Sequence, residues 1–178
     1  MIVERIHHVA YRCNSAKETV EWYRDNLEMG FVLAISEEHV PSTKAPDPYM
    51  HVFLDAGNGN ILAFFETPTL SPMGRDPNTP EWVQHLALKV ADVEALEKAK
   101  TKLEANGVEV LGPVNHEIFQ SIYFFDPNGH RVELAADTIK PGVMEKLHAL
   151  APGMLEEWDK SKAPVRQAAF LHAEEFAD

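Results

Sequence analysis

The chain carries one pattern twice, and that repetition constrains its fold more than any other feature. Residues 6–12, Ile-His-His-Val-Ala-Tyr-Arg, match residues 83–89, Val-Gln-His-Leu-Ala-Leu-Lys. Each segment alternates like a half-buried strand and has a histidine third, so His8 and His85 are counterparts. The far ends match too: Gly59-Asn60-Ile61-Leu62-Ala63-Phe64 aligns with Gly129-His130-Arg131-Val132-Glu133-Leu134. The second copy thus has a carboxylate, Glu133, where the first has Ala63. If the two copies pair symmetrically, His8, His85 and Glu133 converge between them. Two neutral imidazoles and a carboxylate suit Fe(II) or Mn(II) and leave coordination positions open.

Between these ends each copy reads as β-α-β-β-β. Ser15-Ala16-Lys17-Glu18 is a capping box, followed by Val20, Trp22, Tyr23 and Leu27 on one helical face, with Gly30 as the stop. Phe31–Ile35, Met50–Leu54 and Ile61–Phe65 are expected strands, and the Pro-rich excursion 37–48 between the first two is a candidate lid. In the second copy Asp92 caps a helix along Val93, Leu96, Ala99 and Leu103 that ends at Gly107. Val108–Leu111, Ser121–Phe125 and His130–Leu134 are its later strands, the last two joined by an Asp126-Pro127-Asn128-Gly129 turn.

The expected fold class is therefore α+β. Modules 3–66 and 82–136, joined by a linker at 67–81, form a curved mixed sheet around a metal cleft. Residues 137–178 add a helical extension to this single domain, with one helix from Pro141, another over 154–162, and Phe170, Leu171 and Phe176 beyond. Such sheets expose edges that a second copy can cover, so a homodimer is expected.

A net charge of −12 argues against nucleic acid and anionic membranes as partners. The single cysteine, Cys13, excludes an internal disulfide framework and reads as a buried structural thiol in a reducing compartment. The N-terminus enters a strand pattern without a signal peptide's apolar stretch, and no run approaches the ~20 apolar residues of a membrane helix. A cytoplasmic location is the expectation.

Glu66 is the rival fourth ligand. It lies three residues beyond Ala63, the counterpart of Glu133, and alternation over an odd spacing turns it to the other face of the strand. His51, one strand earlier, is a candidate for the cleft if its side chain faces inward. Phe53, Phe64, Phe65, Phe119, Phe124 and Phe125 supply aromatic surface, of which alternation allows only part to face a pocket.

Two such copies, with candidate ligands on first and last strands, resemble the vicinal oxygen chelate superfamily over residues 3–136. That superfamily includes glyoxalase I, extradiol dioxygenases, epimerases and antibiotic-resistance proteins. The run Val114-Asn115-His116, five residues, then Ile122-Tyr123-Phe124-Phe125-Asp126-Pro127-Asn128-Gly129 and on to Glu133 looks like the type I extradiol dioxygenase motif. The resemblance implies an Fe(II)-dependent ring-cleaving dioxygenase acting on a small aromatic diol, a catechol, with O2. Its implied metal ligands are His8, His85 and Glu133, and its implied catalytic residues Tyr123 and His116 hydrogen-bond and protonate the reacting oxygens. The sequence departs from the family at Asn60, where an acid–base histidine is expected, and His51 is the candidate replacement. One alternative is a glyoxalase- or epimerase-type lyase or isomerase using Glu66 as fourth ligand to Zn2+, Ni2+ or Co2+. Another is a non-catalytic ligand-binding or resistance protein.

Overall fold

The computed structural model describes residues 2–165. The first copy supplies β1 (Val9–Cys13), α1 (Ala16–Leu27), β2 (Gly30–Glu37), β3 (Tyr49–Asp55) and β4 (Ile61–Glu66). The second supplies β5 (Leu86–Lys89), α2 (Val93–Ala105), β6 (Leu111–Asn115), β7 (Phe119–Phe125) and β8 (Arg131–Asp137), and α3 (Val143–Ser161) follows. The architecture is α+β, with two four-stranded mixed sheets ordered β1-β4-β3-β2 and β5-β8-β7-β6. Each module thus closes its own sheet, where the sequence reading had one shared curved sheet. No helix among the described residues is long and apolar enough to cross a membrane.

The strand register reproduces the repeat. In the parallel pair β1–β4, Ala10 lies opposite Ala63; in β5–β8, Ala87 lies opposite Glu133. Both candidate histidines sit one residue ahead of their strands, before Val9 and Leu86. Period two then sorts each sheet into two faces. Val52, Leu54, Leu62 and Phe64 pack with Tyr23 of α1, while Ile122, Phe124, Val132 and Leu134 pack with Leu96 and Leu103 of α2. The opposite face of each sheet has no helix of its own module over it. We call these the open faces.

The modules meet on their helix sides. Trp22 and Leu27 reach the second core, and Leu86 and Leu88 reach the first. The Asp126–Gly129 turn is wedged against the first module. Tyr23 donates its hydroxyl to Asp126 Oδ2 at 3.2 Å, Asn128 donates to Thr19 Oγ1 at 3.1 Å, and the Asn14 amide donates to Asn128 Oδ1 at 2.8 Å. Gly129 is required there: its φ is +90°, and a Cβ would meet the Arg75 backbone nitrogen of the linker at 2.6 Å.

Several boundaries differ from expectation. Ser15 does cap α1, accepting from the Glu18 amide at 3.3 Å, but Glu28 in the left-handed conformation ends it, and Gly30 opens β2. Val108 and Val110 pack against the second core without laddering, so β6 begins at Leu111. The extension is one helix running through Pro152, with none of its residues buried, instead of two short ones. Phe170, Leu171 and Phe176 lie outside the described residues.

Candidate metal centre

On the open face of the second sheet, Glu133 is 3% exposed. Its Oε1 accepts hydrogen bonds from the Ser121 hydroxyl and, at 3.1 Å, from the Tyr123 hydroxyl. Its Oε2 lies 2.9 Å from His85 Nε2. The other ring nitrogen of His85, Nδ1, is 3.1 Å from the Val83 carbonyl, which can only accept, so Nδ1 carries a proton. In the neutral ring Nε2 then turns a lone pair towards a carboxylate oxygen, and in the imidazolium it donates a proton to it. Two acceptors this close demand a cation, either the proton of an imidazolium or a metal. The backbone-anchored tautomer is the one a metal-ligating imidazole uses. His85 Nε2 and Glu133 Oε2 are two donors of the kind a divalent metal takes, and a metal here would need further ligands.

Tyr123 extends the site. His116 Nε2 lies 2.9 Å from its hydroxyl, forming a chain His116–Tyr123–Glu133–His85. Burial, then the Glu133 charge, pushes the Tyr123 phenol above its ordinary pKa, so it stays a donor at neutral pH. The β7–β8 register explains the meeting, since Tyr123 lies directly opposite Glu133. Ser121 was not singled out in the sequence; only this register shows it beside Glu133.

On the open face of the first sheet, exposed His8 stands 6.3 Å from His51 and 6.0 Å from Phe53, ring centre to ring centre. His8 Nδ1 is 2.8 Å from Nδ1 of His7, so His7 is a surface partner of His8. His51 is stacked on Phe65 at 3.6 Å, and its Nε2 is buried without a hydrogen-bond partner. Burial, with His8 beside it, holds His51 below the ordinary histidine pKa. Asn60 lies in an exposed turn and donates to the Gly57 carbonyl at 2.9 Å.

Glu66 belongs to the other face. It lies opposite Cys13 and Met50, and its Oε2 accepts from the Ala16 amide at 2.6 Å, at the N-terminus of α1. Alternation likewise places Phe64 and Phe124 in the two cores, and leaves Phe53 and Phe65 on one open face and Phe119 and Phe125 on the other.

Among the described residues no three His, Cys, Asp or Glu side chains gather into a metal-binding group. The chain brings His85 and Glu133 together; His8 is on the other sheet, with His51. His8 and His85 are both exposed.

The fold and this motif agree with a family match: a model described as the Glyoxalase/Bleomycin resistance protein/Dioxygenase superfamily covers residues 5–134. The chain belongs to that superfamily. Its members include metal-dependent dioxygenases, lyases and fosfomycin resistance enzymes, and they use divalent metals. Within the superfamily, the chain is 28% identical over 141 residues to a putative ring-cleaving dioxygenase, MhqA, of Bacillus subtilis (strain 168). That match takes 77% of this chain and spans 42% of the relative's length. A glyoxylase/bleomycin resistance protein/dioxygenase domain from Frankia sp. EAN1pec superposes with TM-score 0.62 at 15% identity, covering 76% of this chain and 98% of that one. The fosfomycin resistance protein FosX of Listeria monocytogenes, solved with manganese(II) and a dihydroxypropylphosphonic acid, superposes with TM-score 0.56 at 18% identity, covering 77% and 95%. At these identities the two structures speak to the fold alone.

Proposed function

We propose that this protein is an Fe(II)-dependent, extradiol-type ring-cleaving dioxygenase that works as a homodimer. His85 and Glu133 of one copy and His8 of a second hold the metal, for which Mn(II) is the alternative. The observation that carries this reading is the buried Glu133 with His85 Nε2 at 2.9 Å from its Oε2, backed by Tyr123 and His116. Such a pair is built to enclose a cation, and two protein ligands with a third from outside leave room for a chelating substrate. The ring-cleaving relative and the motif from His116 to Glu133 favour dioxygenase chemistry.

Iron, when bound, supplies the one-electron chemistry that lets O2 react with a catechol. The chain's own residues do the rest. Ser121 and Tyr123 fix Glu133 Oε1, leaving Oε2 for the metal. Tyr123 donates its one hydroxyl proton to Glu133, which leaves its oxygen to accept from His116, so a proton can be held along this chain. His51 contributes the unpartnered Nε2 on the face that carries His8, and we assign it the hydrogen bond to substrate that Asn60 cannot make through a titratable group. Phe119 and Phe125 on one face, and Phe53 and Phe65 on the other, offer rings to an aromatic substrate and exclude water. A lyase using Glu66 has less support, because that carboxylate is engaged at α1.

The test is oxygen uptake by anaerobically purified, Fe(II)-reconstituted protein with a panel of catechols, monitored for a yellow ring-opened product. Uptake lost in His85→Ala, together with bound iron, is expected. No uptake by protein that holds iron would refute the reading. Mixing inactive His8→Ala and His85→Ala chains then tests the shared site. Random re-pairing should restore about a quarter of the sites, because each mixed dimer regains one intact site of two. No recovery after verified exchange would place His8 elsewhere.

A further inference from the structure

Arg131 occupies the open face of β8, two residues before Glu133 and opposite Phe125. Its guanidinium carbon lies 4.4 Å from the centre of the Tyr123 ring. No carboxylate pairs with it among the described residues, in a chain with 28 acidic residues against 16 basic ones. A half-buried arginine left without an acid in so acidic a protein is informative, because nearby carboxylates are plentiful.

The surroundings explain what it could bind. A cavity of ≈ 690 Å³ is lined by both His85 and Arg131, with Tyr11, Phe125 and His130 on its walls and the linker along one side. Two acids also line it, but each is already engaged. Glu81 is bridged to Arg75 at 2.5 Å, and Arg75 itself lies over Phe125. Asp76 Oδ1 accepts from the Asn78 amide at 2.8 Å, and these backbone contacts hold its carboxyl below the usual range. Arg131 is thus the free cation of the cavity. A guanidinium lying on an aromatic face keeps its in-plane N–H donors available, and two of them match a carboxylate. Two residues along a strand span about 6.6 Å, comparable to an aromatic ring chelated at one edge and charged at the other.

We propose that this cavity selects an aromatic diol bearing a carboxylate, with Arg131 as the residue that recognises the anionic group. The inference rests on the ring-cleaving reading for the diol end, but the anion site can be tested apart from it. Zn(II)-loaded dimer, which is redox-inert, is titrated calorimetrically with 3,4-dihydroxybenzoate, catechol and benzoate. In the wild type the carboxylated diol should bind roughly tenfold more tightly than catechol, an advantage that shrinks as salt rises. Arg131→Gln should bring the ratio of the two dissociation constants towards one. Arg131→Lys should keep part of it, and thermal melts should show that both variants are folded. Equal affinity for both diols in the wild type, or a ratio unchanged in Arg131→Gln, overturns the anion site and leaves the ring-cleaving reading standing. Benzoate binding that depends on Arg131 while neither diol binds does the reverse. Failure of all three ligands overturns both.

Discussion

Glu133 is a charge in a place that should not tolerate one. Taking a carboxylate out of water costs several kcal/mol, and hydrogen bonds to a charged group return about 1.5–3 kcal/mol each. Ser121 and Tyr123 supply two, and the remaining oxygen faces His85 Nε2 at 2.9 Å. Tyr123→Phe should therefore lower metal affinity or ring-cleaving turnover roughly 10- to 100-fold while leaving the fold intact, as read by iron content and oxygen uptake. A variant indistinguishable from wild type would show that the His116–Tyr123 chain is idle. Cys13 is the opposite kind of buried group, 1% exposed, with burial pushing its thiol up to about 11. It should resist thiol reagents at pH 8 until the protein unfolds. An acid whose native pKa is raised is stabilised in its neutral form, so this contribution holds below pH 9 and is lost as pH climbs from 9 towards 11. Denaturant melts across that window, compared with Cys13→Ala, would reveal it. His85 and Glu133 were legible as a pair because the repeat set them in register, whereas the placing of His8 on the other sheet was not. Arg131 and Ser121 gave no signal, because their meaning depends on which neighbours the β7–β8 ladder brings alongside them.

The elements themselves were legible where local chemistry decides them. Ser15 and Asp92 cap their helices as the sequence suggests, and β3, β4, β7 and β8 fall where alternation places them. The misplacements come from tertiary demands. The valines at 108 and 110 look like a strand but serve the core above α2, and β6 forms only where the chain reaches β7. The Asp126–Gly129 turn read as a hairpin connection, yet it is also the polar joint between modules. Replacing Gly129 by Ala combines a left-handed φ with a backbone close approach at 2.6 Å. We expect a loss of roughly 1–3 kcal/mol, seen as a fall of several degrees in the unfolding midpoint. A neutral result would mean that the linker gives way freely at Arg75.

Across the whole molecule, the unpaired surface is concentrated on the first module. Every residue of β2 is exposed, and Leu33 and Ile35 lie on the same face as Phe53 and His51, each 44% accessible. Apolar side chains so placed belong against another surface. In the proposed dimer, Ile35→Lys should leave the secondary structure unchanged, shift sedimentation from dimer to monomer and release metal, although His85 and Glu133 are untouched. A variant that remains dimeric with full metal content would move the contact away from β2. The two-module organisation was legible from the repeat. The separation of the open faces was not, because it depends on which sides of the modules meet.

The divergence between Ala63 and Glu133 has a consequence for self-recognition. The two modules are near copies in backbone, so a second chain could in principle meet either one. Joining two first-module faces would crowd His8 and His51 against their duplicates with no acid to balance them. Joining two second-module faces would confront Glu133 with its own negative twin. In the proposed dimer only the mixed pairing sets His8 and His51 of one chain against Glu133 of the other, and a two-fold axis then makes that pairing twice. In the proposed dimer, one alanine where its twin has a glutamate would let a duplicated fold tell its own halves apart.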